Sequence, residues 1–231
     1  MTTSASAAAA TIVYDSRYRE ALRDAAEWRL LGLLFACPDV AWRDQVRALA
    51  EEITDDDLRE AAHAAQHEAD EGRYHTTFGP GGPAAPREVS YQRSALSGQY
   101  LAELTAFYEA FGYCPPHDEP PDHVAVEADF MAYLKMKQAF AVACLQEEQV
   151  AVTTDAAQAF LENHLAVVAS PLAITLEASG IQYLARAAAA LLARTGMPHD
   201  GAQALPVTPT TGEGPGLSIC PLEGRCDFLD D

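Results

Sequence analysis

The stretch from Asp122 to Glu148 constrains the fold more than any other, because it is apolar around nearly its whole circumference. Phe130, Met131, Tyr133, Leu134, Met136, Phe140, Val142 and Leu145 do not fall on one stripe at a 3.6-residue period. A helix of this kind has no broad face to give to water and belongs at the centre of a bundle. Glu119-Pro120-Pro121-Asp122-His123 punctuates its start. The prolines fix φ and hold the preceding residues extended. Asp122 then stands where a carboxylate caps the first free amides and meets the positive end of the helix dipole.

The remaining pattern is helical as well. Alanine dominates a chain that is 49% hydrophobic, and no period-2 run bounded by turn residues is present, so the expected class is all-α. The spacing predicts a first helix over 16–36, with Leu22, Ala26, Leu30, Leu33 and Leu34 on one stripe, stopped by Cys37-Pro38-Asp39. A second is expected over 40–53. A third follows to about Asp70 from a capping box at Thr54-Asp55-Asp56-Asp57. Residues 71–90 read as a long irregular loop. A fourth helix, from Ser97, carries Tyr100, Leu101, Leu104, Phe107, Tyr108 and Phe111 and ends at Gly112 in a left-handed stop. Tyr113 to Pro121 is a second loop, and the apolar helix comes fifth. A sixth is expected from Thr153 or Thr154, and a seventh from Pro171 to Arg194.

At 231 residues the chain fits one domain. Residues 1–14 read as a disordered leader, 15–196 as a single helical bundle of about seven or more helices, and 197–231 as a Pro/Gly-rich linker and cysteine-bearing tail. Residues 1–14 hold no Lys or Arg, so a secretory signal is not expected. The uncharged run Asn163–Leu176 is too short to span a bilayer, and a soluble cytoplasmic protein with reduced thiols is expected. The formal charge of −19, from 34 acids and 15 bases, argues against nucleic acid as a partner. It suits a basic peptide.

Several residue pairs suggest chemistry. His123 and Glu127, four apart, share a helix face and have the composition of an acid–base or metal pair; no nucleophile or third ligand stands near them in sequence. His63 and His67 have the spacing of a helical metal pair, yet lie among Ala, Gln and Glu as on a solvated face. Gly79-Pro80-Gly81-Gly82 lacks the Lys-Ser/Thr of a phosphate loop. Cys220 and Cys226 are weak metal candidates, with inert thiols the default. No cofactor is expected. Most of the fifth helix reads as core, with only its first two turns exposed between the two loops.

Taken in order, Glu119-Pro120-Pro121-Asp122-His123, the following Glu127-Ala128-Asp129-Phe130-Met131, the loop from Tyr74 through Phe78 to Ser90-Tyr91, and Phe160, His164 and Leu165 resemble the TorD/DmsD/NarJ family of redox-enzyme maturation chaperones. The resemblance covers about Tyr18 to Arg194. It lacks the family's Leu-Phe pair in the first loop and its tryptophan after His164-Leu165. It implies a non-catalytic, all-helical chaperone that binds the precursor of a molybdenum-cofactor oxidoreductase, often through a twin-Arg leader, and holds it until cofactor insertion, as a monomer or a domain-swapped dimer. On that footing Glu119, Asp122 and Glu127 are expected to steer the arginines. Phe78, Ser90, Tyr91 and Met131 are expected to complete the groove, and His123 to bond the peptide backbone or hold Asp122. Two alternatives remain open: an accessory subunit stably bound in a redox complex, and a helical metal-dependent enzyme using His123, Glu127 and His164.

Overall fold

Around the long apolar helix the rest of the chain is wrapped as a bundle. The computed structural model describes residues 16–92, 97–115 and 119–196, and among these no strand is present. The helices are α1 (Ser16–Phe35), α2 (Trp42–Glu52), α3 (Asp56–Glu68), α4 (Glu71–Phe78), α5 (Ser97–Phe111), α6 (Val124–Ala143), α7 (Glu147–Phe160), α8 (Ala166–Ser179) and α9 (Gln182–Thr195). A 3₁₀ turn spans Glu88–Ser90, and a π turn, Leu161–Leu165, joins α7 to α8. The all-α expectation holds. The expected leader and the Cys220/Cys226 tail lie outside the described residues.

The central position expected for α6 follows from its residues: Val124, Ala128, Phe130 and Leu134 are completely buried. α1 runs along it, and the two backbones approach closely because Gly32 has no side chain; a Cβ there would stand 3.0 Å from the Ala125 carbonyl oxygen. Arg29 on α1 also pairs with Asp129 on α6. On the other flank an aromatic cluster joins α5, α6 and α7: the Phe130 ring lies 4.8 Å from Tyr108 and 4.8 Å from Phe160, centroid to centroid.

Helix boundaries depart from expectation where distant residues decide them. Asp55, not Thr54, caps α3 by accepting from the Leu58 amide. The expected loop 71–90 contains α4, capped by Asp70 through the Arg73 amide, because Tyr74, Thr77 and Phe78 have core to pack against. The helix expected from Thr153 or Thr154 is α7, which starts at Glu147, so both threonines sit inside it and turn their hydroxyls back on the Val150 carbonyl. Pro171 lies inside α8 rather than opening a helix. The break expected there comes at Gly180, which at φ 71° supplies the left-handed residue. Gly112, also at φ 71°, ends α5 as expected.

The run α7–π turn–α8, Glu147–Ser179, is 33 residues long and by length and composition apolar enough to cross a membrane. Phe160, Leu165, Val168, Leu172 and Leu176 are completely buried against the bundle, and 33% of the run's most apolar stretch is buried in all.

Candidate functional site

The residues singled out around Asp122 meet where a strap, residues 79–92, crosses the start of α6. Gly81, at φ 81°, turns the chain after α4. Gly82 fits because a Cβ would stand 2.4 Å from the Thr77 carbonyl oxygen. The strap then pairs with the residues before α6: Glu88 donates its amide to the Asp122 carbonyl at 2.9 Å, and Val124 donates to the Pro86 carbonyl at 2.8 Å. Arg87 and His123 form an isolated antiparallel bridge. Tyr91 closes the strap on itself through its hydroxyl, 2.8 Å from the Ala85 carbonyl.

Asp122 does not cap the helix. Its side chain is completely buried, and Oδ1 accepts from Arg87 Nε at 2.9 Å and Nη2 at 2.8 Å. Oδ2 faces the Val89 amide at 3.3 Å. The cap is His123, whose Nδ1 accepts from the Ala125 amide at 3.1 Å. An accepting Nδ1 places the ring proton on Nε2. Nε2 faces the Tyr74 hydroxyl at 3.2 Å, and that hydroxyl donates to Glu119 Oε1 at 2.7 Å. Imidazole, phenol and carboxylate thus form a chain from the buried helix start toward solvent. Burial, with the Arg87 charge adding to it, pushes His123 down to about 4. Burial and the bond to Glu119 push the Tyr74 phenol up.

Beneath the strap lies a second acidic group. Glu88 and Glu127 are both completely buried. Glu88 Oε1 accepts from Gln92 Nε2 at 2.7 Å, and its Oε2 lies 3.2 Å from His164 Nδ1. The π turn presents His164, which also lies 3.1 Å from the Tyr100 hydroxyl. No donor reaches either oxygen of Glu127. Burial, then the nearby Glu88 and Asp122 charges, hold its carboxyl well above the ordinary range. Glu127 is therefore held toward its protonated form.

The expected exposure of the first two turns of α6 is thus corrected. Asp122, His123, Glu127 and Met131 are buried, as is Phe78. Of the candidate residues, Ser90 is exposed, Tyr91 is partly so, and the Glu119 side chain is 25% exposed. Met131 lies on the floor of a different feature, a cleft of about 510 Å³ between α1, α6, α7 and α9, with Trp28 and Leu161 beside it. Lys135 pairs with Asp24 there, and Arg194 with Glu27 and Asp55. Glu88 and Arg87 were missed in the sequence. Only the pairing of a strap with a distant helix start gives them a role, and no local spacing signals it.

Among the described residues no group of three or more His, Cys, Asp or Glu is arranged to hold a metal ion. His63 and His67 are exposed on α3.

The fold and the site define an all-α bundle whose inner helix starts at a buried Asp-His pair clamped by a strap. Residues 37–170, more than half the chain, match the family model described as the nitrate reductase delta subunit. The chain belongs to that family, a NarJ/NarW-type group within the TorD-like superfamily whose members are molybdoenzyme maturation chaperones. No curated protein matches the chain.

Proposed function

We propose that this protein is a cytoplasmic chaperone that binds the precursor of a molybdenum-cofactor oxidoreductase catalytic subunit, through its twin-Arg leader or the apo subunit, and holds it until the cofactor is inserted. The observation that carries this reading is the charge imbalance at the start of α6. Asp122 and Glu88 are buried there and Glu119 lies at the edge, against one guanidinium, that of Arg87 on Asp122, while burial holds the neighbouring Glu127 neutral. A guanidinium matches a carboxylate two-pronged, in a geometry that ammonium lacks. Burying one large apolar side chain contributes roughly 1.5–3 kcal/mol, against about 0–1 kcal/mol for an exposed ion pair. The acids therefore orient a client's arginines, and the apolar segment that follows them supplies most of the affinity, against Tyr91 and its neighbours.

The test is calorimetric titration with the twin-Arg leader of a co-expressed molybdoenzyme. Glu119→Gln, which leaves the buried network in place, should weaken binding several-fold, and raising the salt should slow association. The double substitution Asp122→Ala/His123→Ala should abolish binding while circular dichroism reports retained helix. Wild-type affinity in both variants removes the site assignment.

A further inference from the structure

Arg87 holds Asp122 in the way an incoming arginine would. Both its Nε and its Nη2 lie within 2.9 Å of Asp122 Oδ1, while its own side chain stays 40% exposed. The aspartate is completely enclosed and has one further donor, the Val89 amide. The strap that carries Arg87 is closed on itself by bonds that include Tyr91 hydroxyl to Ala85, Tyr91 amide to Glu88, Ser90 amide to Arg87 and Gln92 to Glu88 Oε1. It is fastened to the bundle by Arg87–Asp122, by Glu88–His164 and by the two backbone bonds to Asp122 and Val124. Below it Glu127 is fully enclosed with no donor. Facing Glu127 from the surrounding elements are Glu88 on the strap, Asp122 before α6 and Tyr108 on α5. Arg87 is the cation that this group holds.

We propose that Arg87 is a built-in surrogate ligand: its guanidinium occupies the seat on Asp122 that a client arginine takes, so the strap of residues 79–92 is an autoinhibitory contact that the client displaces. This rests on the reading above, that Asp122 receives an arginine of the client. Exchanging one guanidinium for another leaves the charge pairing at Asp122 intact, which avoids stranding a buried carboxylate. A tethered competitor of this kind lowers the apparent affinity by the fraction of molecules in which the seat is open.

The experiment compares wild type, Arg87→Ala and Asp122→Asn in the full chain. The probe is a synthetic peptide of two consecutive arginines followed by an apolar segment, with a twin-lysine version as control. Arg87→Ala should bind the arginine peptide about tenfold tighter, Asp122→Asn should bind it more weakly, and the lysine peptide should gain little. Unchanged or weaker binding by Arg87→Ala, with Asp122→Asn impaired, overturns the surrogate role and leaves the client site standing. Wild-type affinity in Asp122→Asn sinks both. Should Arg87→Ala fold poorly, Arg87→Lys keeps the charge and loses the fork, and a several-fold gain is expected from it. A second readout is chemical rescue: millimolar ethylguanidinium should raise the melting temperature of Arg87→Ala and leave wild type unmoved, with ethylammonium inactive. Failure of that rescue also counts against an exchangeable guanidinium seat.

Discussion

His123 shows how one residue serves helix and site together. As the cap of α6 it must accept at Nδ1, and burial pushes it down to about 4 from 6.5. The unfolded chain takes up the proton below 6.5 while the native state refuses it until about 4, so stability falls as pH drops through that window. The full cost is about 3 kcal/mol, since each tenfold change in proton affinity is worth roughly 1.4 kcal/mol. His123→Asn, which keeps a capping oxygen, should flatten the acid limb in denaturant titrations between pH 7 and 4. Glu127 acts with the opposite sign. Its pKa is raised by burial and by Glu88, so the native state keeps a proton that the unfolded chain has lost, and stability declines as pH rises above the ordinary glutamate value. Glu127→Gln is neutral at every pH, so relative to wild type it should gain stability as the pH rises above the ordinary glutamate value of 4.5. A stability difference between the two proteins that stays constant as the pH rises from 4.5 contradicts the buried proton. The Asp-His pair was legible in sequence as an acid and an imidazole at a helix mouth. Which of them caps was not, because Asp122 is claimed by Arg87, which lies 35 residues earlier in the chain.

At the scale of elements, the sequence is most informative where local chemistry alone sets the outcome. Pro38 and Asp39 end α1 and start α2, with Asp39 Oδ1 accepting from the Ala41 and Trp42 amides; Gly112 stops α5. It is least informative where packing decides. α4 is too short to hold in isolation and persists because Tyr74 and Phe78 are buried, so a Gly/Pro-rich neighbourhood concealed it. The π turn has no sequence signal of its own. It is seen in the outcome, where one helix line delivers both Phe160 and His164 inward with their rings 4.7 Å apart. The contact of α1 with α6 tests the same principle. Gly32 lies on the buried face of α1, with the Ala125 carbonyl oxygen 3.0 Å and the Asp129 amide 3.4 Å from the position of a Cβ. These neighbours are backbone and cannot rotate away. Gly32→Val should therefore cost about 1–3 kcal/mol by overpacking, despite a better helix propensity than glycine, and chemical denaturation reads it directly.

The whole molecule carries a formal charge of −19, and its self-repulsion works against a compact state. Cohesion must come from the apolar interior, which lies on the long helix as expected for Phe130, Met131, Leu134 and Val142, whereas Met136, Phe140 and Leu145, expected in the core, are exposed. What the sequence did not reveal is that the buried acids lie against the aromatic cluster. Tyr108 packs on Phe130 and donates its hydroxyl to the Pro121 carbonyl at 2.8 Å, next to Asp122, and Phe160 packs on His164, which faces Glu88. The core and the candidate site therefore share residues, and damage to one must reach the other. Phe130 tests this coupling. It is completely buried between Tyr108, Tyr113, Phe107 and Phe160, so Phe130→Ala should cost about 3–5 kcal/mol, a large share of the roughly 5–15 kcal/mol that holds a typical domain together. Global unfolding alone would make every protected amide exchange faster by the same free energy. Coupling through Tyr108 predicts a larger local effect, with the amides of Glu88 and Val124, which fasten the strap, losing more protection than those at the centre of α9. Hydrogen exchange on Phe130→Ala separates the two outcomes, and uniform loss across both regions means that the cluster supports the bundle without positioning the site.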